Sequence, residues 1–243
     1  EGRIVRFLEK PGWGEVFSDT VNTGIYILEP EVLGFIEENK MVDFSKDLYP
    51  RLLDARKPLY AFVAEGYWCD IGNIEQYLQA QFDILDNKGT LLSFPGTEVQ
   101  PGVWMGSNTQ VDLSAALIPP VVIGDDSSIG PGVKIGPLAV IGNGVQIRKG
   151  ATLKRCVLWD YARIGEGVEL RGAVVGKGAH LLTDARVFEG SVIGDRTVVG
   201  EGSVIKPGVK IWPEKWVEKG ARLSSSLVWG NCSRVRLFGS RGI

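Results

Sequence analysis

From Val99 to Trp229 an apolar residue recurs every six positions, interrupted only by five-residue steps to Leu158 and from Leu170 to Val175. The rungs include Met105, Val111, Leu117, Ile123, Ile135, Ile147 and Leu153 before the steps, and Leu181, Val187, Ile193, Val199, Ile205, Ile211, Val217 and Leu223 after them. A period of six fits neither the 3.6 of a helix nor the alternation of a half-buried strand. It fits a solenoid in which each short strand sends one aliphatic side chain inward and then turns a corner. Glycine often follows the rung, as at Gly106, Gly124, Gly136, Gly142, Gly194 and Gly200. The expected reason is a tight turn that needs positive φ. Twenty-three rungs at three per coil predict about seven coils. With strands stacked ~4.8 Å apart the prism would stand ~34 Å tall.

Ahead of the ladder the pattern changes. Residues 3–9, 22–28, 59–64 and 66–72 read as strands. Pro30 can open a short helix with Val32, Leu33 and Ile36 on one face. A second helix is expected over 44–56, with Asp43 as N-cap and Leu48, Leu52 and Leu53 apolar. A third is expected over 73–86. There Asn73 and Gln76 form a capping-box pattern, and Ile74, Tyr77, Leu78, Phe82 and Leu85 share a face. The predicted organisation is a mixed α/β segment over 1–90, an all-β solenoid over 91–230, and the start of a further segment over 231–243.

Composition narrows the function classes. Lys plus Arg is 27 and Asp plus Glu is 29, with no basic run, which argues against a nucleic-acid face or a membrane-surface patch. Cys69, Cys156 and Cys232 are far apart and lack CxxC spacing, which suggests reduced thiols in a cytoplasmic protein. No apolar stretch reaches transmembrane length. The chain opens Glu-Gly-Arg-Ile-Val, without Met and in strand-like sequence, and is therefore expected to be part of a longer protein.

The ladder resembles the hexapeptide-repeat left-handed β-helix. The left hand is what the resemblance implies, since the general rule for parallel crossovers favours the right hand. Acyltransferases and sugar nucleotidyltransferases both use this fold, so it does not choose a function. Three motifs upstream do: Phe7-Leu8-Glu9-Lys10-Pro11, Val21-Asn22-Thr23-Gly24-Ile25-Tyr26 and Gly66-Tyr67-Trp68-Cys69-Asp70-Ile71-Gly72. In this order they resemble the C-terminal half of a Rossmann-like nucleotidyltransferase domain. Within that family the similarity is to the mannose-1-phosphate guanylyltransferases and includes the β-helix. The tail Leu237 to Ile243 resembles the entry strand of a phosphomannomutase-like domain.

The resemblance implies transfer of a nucleotidyl group from an NTP, GTP by this likeness, to a sugar 1-phosphate, mannose 1-phosphate by the same likeness. The products are GDP-mannose and pyrophosphate. Lys10 is implied to contact the sugar phosphate, where a compact ammonium suits a phosphate as a point charge. Glu9 is implied to bond sugar hydroxyls, and Asn22 and Gly24 to line the sugar pocket. Asp70 is implied to be one of two aspartates holding Mg²⁺, a hard cation that needs few carboxylates. The family's Gly-rich nucleotide loop, with its signature Arg and Lys, and its first metal Asp have no counterpart in this sequence, so the piece alone is expected to be inactive. A homo-oligomer through the β-helix is also expected.

Two other readings stand beside this one. A hexapeptide acyltransferase would use a His as general base, and His180 is the one histidine. It lies within a repeat with no long loop nearby, which favours an ordinary surface residue. A non-catalytic regulatory or assembly subunit that binds sugar nucleotides is the other reading.

Overall fold

The computed structural model describes residues 2–6, 14, 20–86, 94–229 and 232–233. It divides into two compact units, Glu1–Asp70 and Ile71–Ile243. Helix 74–85 therefore belongs with the solenoid unit. The tail 237–243 lies outside the described residues.

The solenoid is a parallel left-handed β-helix of about seven turns. After a short strand β1 (Thr97–Gln100), strands β2 (Val103–Met105) through β22 (Arg222–Leu223) wind through three sheets, each strand pairing with the third one before and after it. Rung stacks on rung in register: Ile135 on Leu153, Leu153 on Leu170, Leu170 on Val187. A second inward position lies two residues before each rung. It often holds a small residue, such as Ala151, Cys156, Ala162, Ala173, Ala179 and Ala185, and elsewhere a valine, as at Val133, Val145 and Val168, all fully buried. One large aliphatic side chain and one no larger than valine per strand fill the narrow prism at close packing. Burial pushes the Cys156 thiol up to about 12, which leaves it inert. Where the small residue is Ser or Thr, its hydroxyl donates to a carbonyl of the next coil. Ser203 Oγ reaches Glu218 O at 2.8 Å and Thr197 Oγ1 reaches Trp212 O at 3.0 Å, so no buried hydroxyl here costs its desolvation.

The glycine after the rung has a different reason from the expected one. Gly124, Gly142, Gly194 and Gly200 have no positive φ. A Cβ at Gly142 would meet Asp160 N of the next coil at 2.8 Å, and one at Gly200 would meet Val217 O at 2.6 Å. Close approach of neighbouring coils excludes a side chain there. Gly136, at φ +102, is the member of the group that fits the turn argument.

Both ends of the ladder differ from expectation. Val99 is on β1, which pairs antiparallel with β2 and covers the sheet edge, so Val99 is exposed. At the other end Leu227, four residues after Leu223, bridges to Ile211 and packs on the core, whereas Trp229 is 88% exposed. The rungs confirmed by burial run from Ile123 to Leu223, with Val111 and Leu117 partly buried.

Helix α2 (Ile74–Leu85) lies on the outside of the sheet that runs from β2 through β8 (Ala139–Ile141), β11 (Val157–Leu158), β14 (Val174–Val175) and β17 (Val192–Ile193). Asn73 Oδ1 accepts from Gln76 N at 2.8 Å, as the capping pattern predicts, while Gln76 Oε1 accepts from Gly72 N at 3.0 Å. Leu78 and Phe82 pack on Val157 and Val174, flanked by Val140 and Val192. These valines point outward from β8, β11, β14 and β17. The corresponding positions of the next sheet are Gln146, Arg163 and His180. One face of the prism is thus apolar on both sides. The five-residue steps lead into β11 and β14, the strands under the helix, and Arg155 in the first step lays its guanidinium 4.7 Å from the Phe82 ring centroid.

In the first unit the helical expectations hold with changes. A 3-10 helix covers Pro30–Phe35 and leaves Leu33 exposed, while Val32 and Ile36 pack inward. The second helix begins as a π turn, Phe44–Leu48, and continues as α1, Tyr49–Asp54. Asp43 caps it, accepting from Ser45 N and Lys46 N. The predicted strands do not form a ladder among the described residues. Arg3 bridges Tyr60, with Ile4 N donating to Leu59 O at 2.8 Å, but 22–28 and 66–72 are extended without a partner strand. Strand sequence becomes sheet only when a neighbour takes up its N–H and C=O groups.

The valine column under α2 gives a contrast to measure. Val157→Ala removes two methyl groups beneath the helix and is expected to cost about 1.5 kcal/mol at roughly 0.8 per buried methylene. Val204→Ala, at the same outward position of an uncovered sheet, is expected to cost under about 0.5 kcal/mol. Urea denaturation followed by circular dichroism compares them, and equal costs would mean the helix adds nothing.

Candidate functional site

The Asn-Thr-Gly motif is built locally. Asn22 Oδ1 accepts from Gly24 N at 3.0 Å, an Asx turn that suits the positive φ of Gly24 at +76°. The Asn22 amide donates to the Tyr26 hydroxyl at 2.6 Å. Tyr26 in turn packs edge-on to Tyr49, with centroids 5.3 Å apart, and against Phe44 at 5.7 Å. Tyr49 is on α1 and belongs to the buried cluster Leu48–Tyr49–Leu52. An exposed amide is therefore oriented through Tyr26 by the hydrophobic core of this unit. Burial, and then the neighbouring Tyr26 hydroxyl, push the Tyr49 phenol above the ordinary tyrosine range.

Asp70 is exposed. Its carboxylate makes no hydrogen bond or ion pair among the described residues, and none links it to Asn22 or Gly24. Cys69 beside it is partly exposed and free, with its thiol near Asp70 O at 3.8 Å. A solvated carboxylate of this kind fits Mg²⁺, which keeps several waters and takes one or two carboxylates. Among the described residues no three acidic, His or Cys side chains cluster into a complete metal site. Glu9 and Lys10 lie outside the described residues. The structure thus joins Asn22 and Gly24 in one turn and leaves the Asp70 carboxylate exposed, with no hydrogen bond to either. What motif reading missed is Tyr26 and Tyr49. Their signal was the aromatic residue four places after Asn22.

His180 projects outward from β15 (His180–Leu181), directly beside Arg163 of β12 (Arg163–Ile164). Partial burial, Arg163 and Arg148 lower its proton affinity. Among the described residues no carboxylate accepts a hydrogen bond from its imidazole.

Residues 1–87 match the family model described as Nucleotidyl transferase. Residues 117–223 match the one described as GMPPB C-terminal domain. This is nucleotidyltransferase-family sequence joined to a hexapeptide-repeat β-helix. The Nucleotidyl transferase match runs through α2, past the end of the first compact unit at Asp70. Relatives include the UTP–glucose-1-phosphate uridylyltransferase of Synechocystis sp., 39% identical over 70% of this chain and 44% of that protein. The glucose-1-phosphate adenylyltransferase of Desulfitobacterium hafniense is 31% identical over 86% of this chain and 56% of its own length. Mannose-1-phosphate guanylyltransferase 1 of Arabidopsis thaliana is 28% identical over 86% and 54% respectively. The chain spans about half the length of these relatives. No helix among the described residues is long and apolar enough to cross a membrane.

The Tyr26–Tyr49 pair has an alkaline signature. Tyr49 should stay protonated through the range near pH 10 in which ordinary tyrosines ionise. Unfolding releases that proton, so stability should be intact below about pH 10 and fall as pH rises above it. Ultraviolet titration of the chain against Tyr49→Phe measures this. A Tyr49 that titrates with the others would mean that it is solvated.

Proposed function

We propose that the chain is part of a sugar-1-phosphate nucleotidyltransferase that couples GTP to mannose 1-phosphate, giving GDP-mannose and pyrophosphate. The observation that carries this reading is the joining of nucleotidyl transferase sequence over 1–87 to a GMPPB C-terminal domain match over 117–223. Relatives named for uridylyl and adenylyl transfer match 70% and 86% of the chain, so the preference for guanine and mannose rests on the GMPPB C-terminal domain match and on the guanylyltransferase relatives.

In this reading the sugar 1-phosphate oxygen attacks the α-phosphate of the nucleotide, and pyrophosphate leaves. Catalysis is mostly positioning and charge neutralisation. Lys10 would hold the sugar phosphate and Glu9 the sugar hydroxyls. Asn22, held by Tyr26, and Gly24, which brings backbone close without a side chain, would line the sugar pocket. Asp70 would hold Mg²⁺, which when bound offsets phosphate charge. Exposed Ile25, Ile27, Phe62 and Val63 lie on extended segments. They support a further nucleotidyltransferase segment packing against this unit in the whole protein. Assembly into a homo-oligomer through the β-helix belongs to the same proposal.

In the full-length protein Asp70→Asn should lower pyrophosphate release from GTP and mannose 1-phosphate at least about 100-fold, the scale of losing one charge-stabilising group. Lys10→Ala should raise KM for the sugar phosphate. An undiminished rate in Asp70→Asn removes Asp70 from the mechanism. Faster turnover with UTP or ATP and glucose 1-phosphate overturns the assignment of base and sugar.

A further inference from the structure

The register that stacks the rungs also aligns outward side chains into columns. On the sheet that contains β9 (Gln146–Ile147), β12 and β15, Gln146, Arg163 and His180 are direct neighbours on successive coils. Arg148 follows β9 by one residue, and at the equivalent place one coil on stands Gly165, with no side chain to fill the space. Gln146, Arg148, Arg163, Gly165 and His180 line a cavity of about 90 Å³ over Ile164. That is roughly three times a water molecule's share of liquid volume. One tetrahedral oxyanion fits, and a sugar ring or a base does not.

The charge of this cavity is uncompensated. Elsewhere on the prism Arg171 and Arg186 face Glu169, and Arg196 meets Glu214 at 2.6 Å. Arg155 lies over Phe82. Arg148 and Arg163 have neither an acidic partner nor an aromatic face among the described residues. Around His180 the charged groups are Arg163 on β12 and Arg148 beyond it, while β18 (Val198–Val199) on the other side presents Val198. Lys149 and Glu166 stand in the turns that follow β9 and β12. Partial burial, and after it the like charge of the two guanidiniums, lowers the proton affinity of the imidazole, and a bound anion would offset the guanidinium part. Guanidinium forks match the oxygens of a phosphoryl group in pairs, and the Gln146 amide and an imidazole N–H can add donors.

We propose that Gln146, Arg148, Arg163 and His180 form a binding site for one phosphoryl group, carried by inorganic phosphate or by a small phosphate ester. The proposal stands on the prism unit alone and does not depend on the nucleotidyl-transfer reading.

His180 is the one histidine in the chain, so its imidazole proton resonances report this site without assignment. Titrating the 243-residue chain with millimolar inorganic phosphate, against sodium chloride of equal ionic strength, should shift those resonances in a saturable way and raise the pKa of His180. Arg148→Gln/Arg163→Gln should weaken phosphate binding at least about tenfold, or 1.4 kcal/mol. Both side chains are exposed, and an unchanged melting temperature checks that the fold is kept. Arg171→Gln, on another face, should bind as the parent does. Saturable shifts with both phosphate and glucose 1-phosphate support the site with a free or esterified ligand. Shifts with glucose 1-phosphate alone assign it to esters. If chloride produces the same shifts as phosphate, or the double variant binds as well as the parent, the site does not exist.

Discussion

The structure depends on one constraint: each coil must return its rung to the same place above the last. Leu153 sits on Ile135 and under Leu170 even though the first coil takes 18 residues and the second, with its five-residue step, 17. Each fully buried aliphatic side chain is worth about 1.5–3 kcal/mol, but only when the neighbouring coil completes its surroundings, as in any solenoid. The second inward position then takes nothing larger than valine where it is buried, and the glycine after the rung must stay bare. A Cβ there would strike the next coil's backbone, as it would at Gly142 and Gly200. Both strand pairing and core packing therefore rest on a coil-to-coil distance that leaves no room for choice at these places.

Register has a second consequence on the outside. Residues that are 17 or 18 apart in sequence become neighbours, so surface chemistry is organised in columns along the prism axis. One column is Val140, Val157, Val174 and Val192, and it receives α2. Another is Gln146, Arg163 and His180, which concentrates positive charge. On the third face Glu169 lies between Arg171 and Arg186, an exposed network that adds little to stability. The same backbone repeat thus carries a packing face, an unpaired basic face and a balanced face, and only the outward residue types distinguish them.

The first unit is organised differently. Its buried centre is small, around Leu48, Tyr49 and Leu52, and much of its extended sequence presents apolar side chains to solvent. Even so, the core reaches out through Tyr49 and Tyr26 to set the Asn22 amide. A polar group meant to read a ligand must be held against its own rotational freedom, and an aromatic partner anchored in the core does this at low entropic cost.

Much of the β-helix was legible in the sequence, because a strict period of six leaves few physical solutions. The caps of both main helices were legible too, since Asp43 and Asn73 act on donors two or three residues away. The ends of the ladder were not. Val99 and Trp229 keep the period, but β1 turns back antiparallel and Leu227 takes the last inward place, choices made by what lies next to each in space. The glycine pattern was visible but its cause was not, because a clash with the following coil exists only once the coils are stacked. At the candidate site, motif order marked Asn22, Gly24 and Asp70. Tertiary structure decided that Tyr26 and Tyr49 hold Asn22 in place, and that Arg148 and Arg163 converge on His180. Sequence by itself determined the repeat and the local caps, because these rest on contacts within a turn. Tertiary structure decided the seams, the columns and the support of the site, because those rest on contacts between residues that only the register brings together.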